Sequence, residues 1–138
     1  MHALAEQKKI KLIYSYREDI KVFADPVMIE TVLRNLINNA IKFTPEHGTI
    51  EIAAVSLGEE VEISVKDTGV GIAEEDLQNL FRIDSKVKRK GTNNEDGSGL
   101  GLILCKEFVE KNQGAIRVKS NLGEGSSFSI TIPSRALA

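Results

Sequence analysis

The sequence predicts an α/β layer structure, a mixed and mostly antiparallel sheet covered on one face by helices. Three observations carry that expectation. Two stretches have helical apolar spacing, Val27 to Phe43 and about Gly99 to Asn112, and each precedes a pair of strand-like runs. Each pair is joined by a short turn containing glycine. Finally, 138 residues with 41% hydrophobic and 28% charged side chains are the size and composition of one globular domain with one core.

The first residues, "MHALAEQKK", read as the tail of a helix or a linker. Residues 1–8 are therefore expected to be a remnant of an upstream helix, 9–134 the domain, and 135–138 a tail. "KIKLIYSY" and "IKVFAD" alternate or cluster apolar residues as short strands do. Asp25 is a good N-cap and Pro26 suits the first helical position. From there Ile29, Val32, Leu33, Leu36, Ile37 and Ala40 recur at helical spacing until Thr44-Pro45, where the residue before proline disfavours helix. "TIEIAAVSL" and "VEISVKD" form an expected antiparallel hairpin around Gly58, and "AEEDLQNLF" an expected short helix. Arg82 to Gly97 has no sustained period and much charge, and a loop of that length in a compact domain is usually a lid or disordered. The second long helix closes at Gly114, and "AIRVKS" and "SFSITIP" finish the chain across the "NLGEGS" turn.

Eighteen basic against twenty acidic residues leave a net charge of −2, which argues against general affinity for nucleic acid or an anionic membrane. With five Phe, two Tyr and no Trp, the chain lacks the aromatics of a base-stacking platform. A single cysteine, Cys105 in the apolar run "LGLILCKEFV", rules out an internal disulfide and a thiolate metal cluster, and reads as a small core residue. No apolar run approaches the roughly 18 residues of a membrane span, and the N-terminus does not read as a signal peptide. A cytoplasmic domain without direct membrane contact is the expectation, either soluble or the cytosolic part of a membrane-anchored receptor.

Four places carry candidate chemistry. In "ETVLRNLINNAIKFT", Asn35, Asn39 and Lys42 fall within roughly 60° of each other at about 100° per residue, beside the apolar stripe. Two amides and an ammonium at a core rim suit a hard cation such as Mg²⁺ and phosphate oxygens, though a solvated helix edge explains the same residues. "GSGLGL", Gly97 to Leu102, opens the second long helix, where glycines admit a ligand to the backbone and free amides favour anions. It lacks the context of a dinucleotide fingerprint and the Lys-Ser/Thr of a P-loop, and a flexible hinge is the bland alternative. Arg82, Lys86, Lys88, Arg89 and Lys90 form either a solvated charge run or a set that closes over a triphosphate.

The fourth place is "SVKDTGVGI", Ser64 to Ile72. Asp-Thr-Gly after an apolar strand makes Asp67 either an acid/base catalyst, as in an aspartic protease, or a hydrogen-bond acceptor in a nucleotide pocket. A protease needs two such carboxylates sharing a proton, and this chain has one. It would have to dimerise, and the asparagine and glycine motifs would have no role.

In order, these pieces resemble the catalytic and ATP-binding domain of bacterial two-component sensor histidine kinases. "NLINNAIKFT" is similar to the N-box, "DTGVGI" to the first glycine box, "LFRID" to the F-box, and "GSGLGL" to the second glycine box. "GEGSSFSITIP" is similar to the closing strand turn. The resemblance runs from roughly Lys8 to Pro133. It implies the two-layer α/β sandwich shared with gyrase, mismatch-repair and chaperone ATPases, with ATP and Mg²⁺ as ligands. It implies that Asn39 coordinates Mg²⁺, supported by Asn35, and that Asn35 and Lys42 act on the phosphates, with Phe43 packed near the nucleotide. Asp67 would accept from the adenine amino group, with Gly69 and Gly71 leaving room for the ring and Ile72 beside it. Phe81 would anchor the lid, which would contribute Lys90. Gly97, Gly99 and Gly101, with the amides around Leu100 and Leu102, would receive the phosphates.

The sequence departs from the family pattern in two places. "FRID" has Ile83 where a second aromatic is common, which bears on how the lid packs. Neither His2 in "MHALAEQ" nor His47 in "PEHGT" has the setting of a phosphoacceptor histidine. The resemblance therefore implies a histidine-containing dimerisation domain of the same protein as partner, with a response regulator receiver domain downstream and a monomeric isolated domain. Related ATPases carry a glutamate four residues before the metal-binding asparagine to activate water. Here that residue is Asn35, which favours histidine phosphorylation over hydrolysis. An ATPase of the same fold and a catalytically silent nucleotide-binding module remain as alternatives.

Overall fold

Helix α2, Pro26–Phe43, begins where its sequence dictates. The Asp25 carboxylate accepts the amides of Val27 and Met28 at 2.9 and 3.1 Å, with proline just inside the helix. It ends at Thr44, whose extended backbone satisfies the restriction imposed by Pro45. Its apolar stripe buries Ile29, Val32, Leu36, Ala40 and Ile41. Full burial of each larger side chain contributes roughly 2 kcal/mol. The computed structural model describes residues 2–16, 20–78, 80–81 and 100–135.

Around α2 the described chain runs α1 (His2–Gln7), β1 (Lys11–Ser15), α2, β2 (Thr49–Ser56), β3 (Glu60–Asp67), α3 (Glu74–Leu77), α4 (Leu100–Lys111), β4 (Ala115–Asn121) and β5 (Gly125–Pro133). The five strands form one sheet in the order β1-β2-β3-β5-β4. β1 pairs with β2 in parallel, and every other pair is antiparallel. The expected mixed, mostly antiparallel sheet is present.

Register shows why the sheet has one wet face. Ile52 pairs with Val65, Val65 with Phe128 and Phe128 with Val118, so one apolar row crosses four strands beneath the helices. The neighbouring row, Glu51, Lys66, Ser127 and Lys119, points the other way and is polar throughout. α2 and α4 pack on each other, α2 over β3 and α4 over β4. This is the two-layer sandwich.

Two elements differ from the sequence expectation. "IKVFAD" is not a strand. Phe23 donates one bond to the Pro133 carbonyl at 2.8 Å, but the Asp25 amide is taken by the Asn112 side chain at 2.7 Å. A single bond beside a helix cap does not make a ladder. α3 is also a single turn rather than the whole of "AEEDLQNLF". Ala73 at its N-cap has no side chain to hold the free amides, so a costly nucleus gains little support. Among the described residues no helix is long and apolar enough to cross a membrane.

Candidate functional site

Asn35, Asn39 and Lys42 are all half-buried along α2. Asn35 is oriented by its own helix, its Nδ2 donating to the Thr31 carbonyl at 3.0 Å. That leaves Oδ1 turned to the opening of α4, 3.4 Å from where a Cβ on Gly101 would stand. One turn further along α4, the Cys105 thiol lies 3.7 Å from the Val32 carbonyl. Burial pushes that thiol up from 9.0 to about 12, so it stays protonated and unreactive. The two helices therefore converge at the amide of Asn35. Gly101, in the first described turn of α4, lies beside it.

The second cluster forms at the end of β3. Asp67 is 5% exposed, and its Oδ1 accepts the amides of Gly69 at 2.8 Å and Ser126 at 3.2 Å. Thr68 bonds the Thr49 amide through its hydroxyl at 2.9 Å. Val70 donates to the Phe43 carbonyl at 3.1 Å, and its own carbonyl accepts the Gly123 amide at 2.7 Å. Ile72 donates to the Ser120 hydroxyl at 2.8 Å. The loop from Asp67 to Ile72 is thus clamped between the end of α2 and the β4–β5 turn, with the carboxyl group held in one orientation.

The glycines of that loop have a reason the sequence did not disclose. A Cβ on Gly69 would collide with the Phe43 carbonyl. Gly71 has φ +75°, and a Cβ there would collide with the Asn121 carbonyl. Their demand for glycine comes from the protein's own backbone, so Gly71 does not by itself separate an adenine slot from other uses of Asp-Thr-Gly.

α2 joins the two clusters. Eight residues, about 12 Å of helix, separate Asn35 from Phe43, whose carbonyl seats the Asp67 loop. Asn39 and Lys42 lie between them. Ile72 and Leu102 are buried in the core, and Phe81 packs partly against it. Leu100 is the first residue of α4. Lys90, Gly97, Gly99 and the expected lid from Arg82 to Gly97 lie outside the described residues. Sequence reasoning missed Ser126 and Ser120, because a backbone amide and a hydroxyl in a serine-rich turn give no periodic signal. It also missed Lys8, which is 1% exposed in a run of charged residues that reads as solvated.

A two-layer sandwich with an Asn/Lys helix edge at a glycine-bearing helix start, and a buried Asp at the other end, defines an ATPase domain of the histidine kinase type. Residues 24–136 match the family described as histidine kinase-, DNA gyrase B- and HSP90-like ATPase, and the chain belongs to that family. It is 38% identical over 135 residues to the adaptive-response sensory kinase SasA of Synechococcus elongatus, covering 96% of this chain and 34% of the relative. It is also 38% identical over 136 residues to the sensor histidine kinase GacS of Pseudomonas protegens, covering 93% of this chain and 15% of that protein. The chain thus spans about a third or less of the length of these relatives.

Among solved structures, the nucleotide-free catalytic domain of the histidine kinase ThkA superposes with a TM-score of 0.82 at 31% identity, covering 96% of this chain and 84% of that one. Full-length ShkA in complex with AMPPNP gives 0.78 at 28% identity, covering 95% of this chain and 27% of that one. The family and fold that the four motifs implied are those found.

Proposed function

We propose that this chain binds Mg·ATP and passes the γ-phosphoryl group to a histidine on a separate dimerisation and phosphotransfer domain. The observation that carries this reading is the opposition of Asn35 Oδ1 and Gly101 midway along α2 and the clamped Asp67 carboxyl beyond its C-terminal end. A nucleoside triphosphate laid along α2 puts its base at Asp67 and its phosphates at the α4 opening. ShkA, a structural relative, was solved with AMPPNP bound.

The side chains suit that ligand. Asp67 presents a carboxylate of fixed rotation to the adenine amino group, which guanine lacks at that position. Lys42 meets phosphate oxygens as a point charge. Asn35 and Asn39 offer hard amide oxygens of the kind Mg²⁺ takes, and that ion, when bound, supplies charge neutralisation at the phosphates.

In the transfer the bond between the γ-phosphorus and the bridging oxygen breaks. ADP leaves with that electron pair, and an imidazole nitrogen lone pair forms the new bond to phosphorus. A neutral imidazole needs no base to attack, so this chain's contribution is position and charge. Asn35 has no basicity with which to activate water, which favours transfer over hydrolysis. His47, exposed in a turn with φ 69°, is not the acceptor in this reading. The partners are the histidine-bearing domain and, after it, a response regulator receiver domain, on the cytoplasmic side where ATP is available.

Calorimetry with a non-hydrolysable ATP analogue, with and without Mg²⁺, tests the reading. Binding is expected, and Asn39→Ala is expected to keep the fold and lose the Mg²⁺-dependent part of the affinity. No heat at millimolar nucleotide would sink the proposal. γ-Phosphate incorporated by the chain alone would show that it carries its own acceptor.

A further inference from the structure

At the end of α2 the carbonyls lack the amides of a following turn, the Thr44 cap amide reaching Ile41 only at 3.4 Å, and a buried cation answers them. Nζ of Lys8 donates to the carbonyls of Ile41 at 3.0 Å, Lys42 at 3.0 Å and Thr44 at 3.4 Å. An ammonium offers three donors and no acceptor, and it sits here at the negative end of the helix dipole. The main chain of Lys8 joins in, its carbonyl accepting the His47 amide at 3.0 Å. Lys8 thereby fastens the end of α1 to both sides of the turn that closes α2.

That turn borders the candidate site. The Phe43 carbonyl lies within it and accepts the Val70 amide at 3.1 Å, and Gly69 is packed against the same oxygen. Lys42, the proposed phosphate contact, has its backbone in the grip of Lys8.

We propose that Lys8 is a positioning residue for the nucleotide site. It fixes the turn from Ile41 to Thr44, and with it the Lys42 backbone and the carbonyl that seats the Asp67–Ile72 loop. A displacement of α1 therefore reaches the adenine end of the site through one side chain. The inference rests on reading that loop as the adenine end.

The test compares Lys8→Met, Lys8→Arg and, as a control in β4 away from the loop, Ile116→Ala. Hydrogen exchange at the Val70 amide, taken as a ratio to the Val65 amide in the sheet core, is measured without nucleotide. Affinity for a non-hydrolysable ATP analogue is measured separately. Lys8→Met is expected to raise the exchange ratio about tenfold and to weaken the analogue several-fold. Lys8→Arg keeps the charge and is expected between parent and Lys8→Met. Ile116→Ala is expected to lower the urea midpoint and leave both readouts unchanged. An equal response in Ile116→Ala would reduce Lys8 to a stability residue and overturn the proposal. So would an unchanged ratio in Lys8→Met or, should that variant not fold, in Lys8→Arg. If the parent bound no nucleotide while the Val70 ratio still answered to Lys8, the ATP reading would fall and the linkage from α1 to the loop would stand.

Discussion

Oδ1 of Asp67 accepts the backbone amide of Ser126 at 3.2 Å, a bond between paired strands across 59 positions of sequence. With the Gly69 amide on the same oxygen at 2.8 Å, two backbone donors hold the rotation of the buried carboxyl group. A group that reads one edge of a base needs that constraint, because its selectivity depends on which atom is presented.

Asp67→Asn tests the base-reading role proposed for this carboxylate. Asparagine keeps one oxygen for the two amides and replaces the other with a donor, so the urea midpoint should fall less than in Asp67→Ala. A donor set against the adenine amino group should lower ATP-analogue affinity about tenfold and narrow the preference over GTP. Asp67→Ala should instead destabilise the fold by about 2–4 kcal/mol, since two buried amides lose their acceptor. Parent-like binding by Asp67→Asn would remove Asp67 from base recognition.

Gly71→Ala tests the clamp. Its φ of +75° and its approach to the Asn121 carbonyl both oppose a side chain. The expected cost is about 2 kcal/mol or more, read as a fall in urea midpoint. An unchanged midpoint would mean that the loop and the β4–β5 turn separate easily, and the rigid presentation of Asp67 would fail with them.

Local rules made much of this molecule legible in advance. Asp25, Pro26 and Thr44-Pro45 bound α2 because caps and proline restrictions act within a few residues. The hairpins follow from alternation and turns, and the Asn35–Asn39–Lys42 sector follows from the helical repeat. What escaped depends on distant groups. Phe23 and Asp25 are diverted by Pro133 and Asn112, so "IKVFAD" reads as a strand and folds as a connector. Lys8 is buried because carbonyls more than 30 positions away need donors, and nothing in "EQKKIK" announces that. The glycine at 71 is legible as a requirement, but its cause, Asn121, is visible only in three dimensions.

Cys105 gives the fold an alkaline limit. Burial raises its folded pKa from 9.0 to about 12. The folded state therefore holds a proton that the unfolded state releases above pH 9. That contribution is fully present below pH 9 and is lost as pH rises toward 12, at up to about 1.4 kcal/mol per unit. Below pH 8, Cys105→Ala should be less stable than the parent by about 1–2 kcal/mol, through the cavity it leaves. That gap should narrow from pH 9 upward. A constant gap from pH 8 to 11 would show that the thiol is not desolvated in the fold.

Gly101→Ala should separate stability from binding, because the two respond with opposite sign. Among the described residues a Cβ at this position meets Asn35 alone, at 3.4 Å from Oδ1 and 3.7 Å from Cγ, which is ordinary contact, so the helix accommodates it. Alanine is the better helix former by roughly 0.5–1 kcal/mol, so the urea midpoint should hold or rise. The same methyl fills the gap between the opening of α4 and the Asn35 amide, where the phosphates and their cation are proposed to lie. Mg²⁺-dependent nucleotide affinity should therefore fall about tenfold in a protein at least as stable as its parent. A loss of stability would mean that the helices are packed more tightly here than the geometry allows. Undiminished affinity would place the phosphates elsewhere.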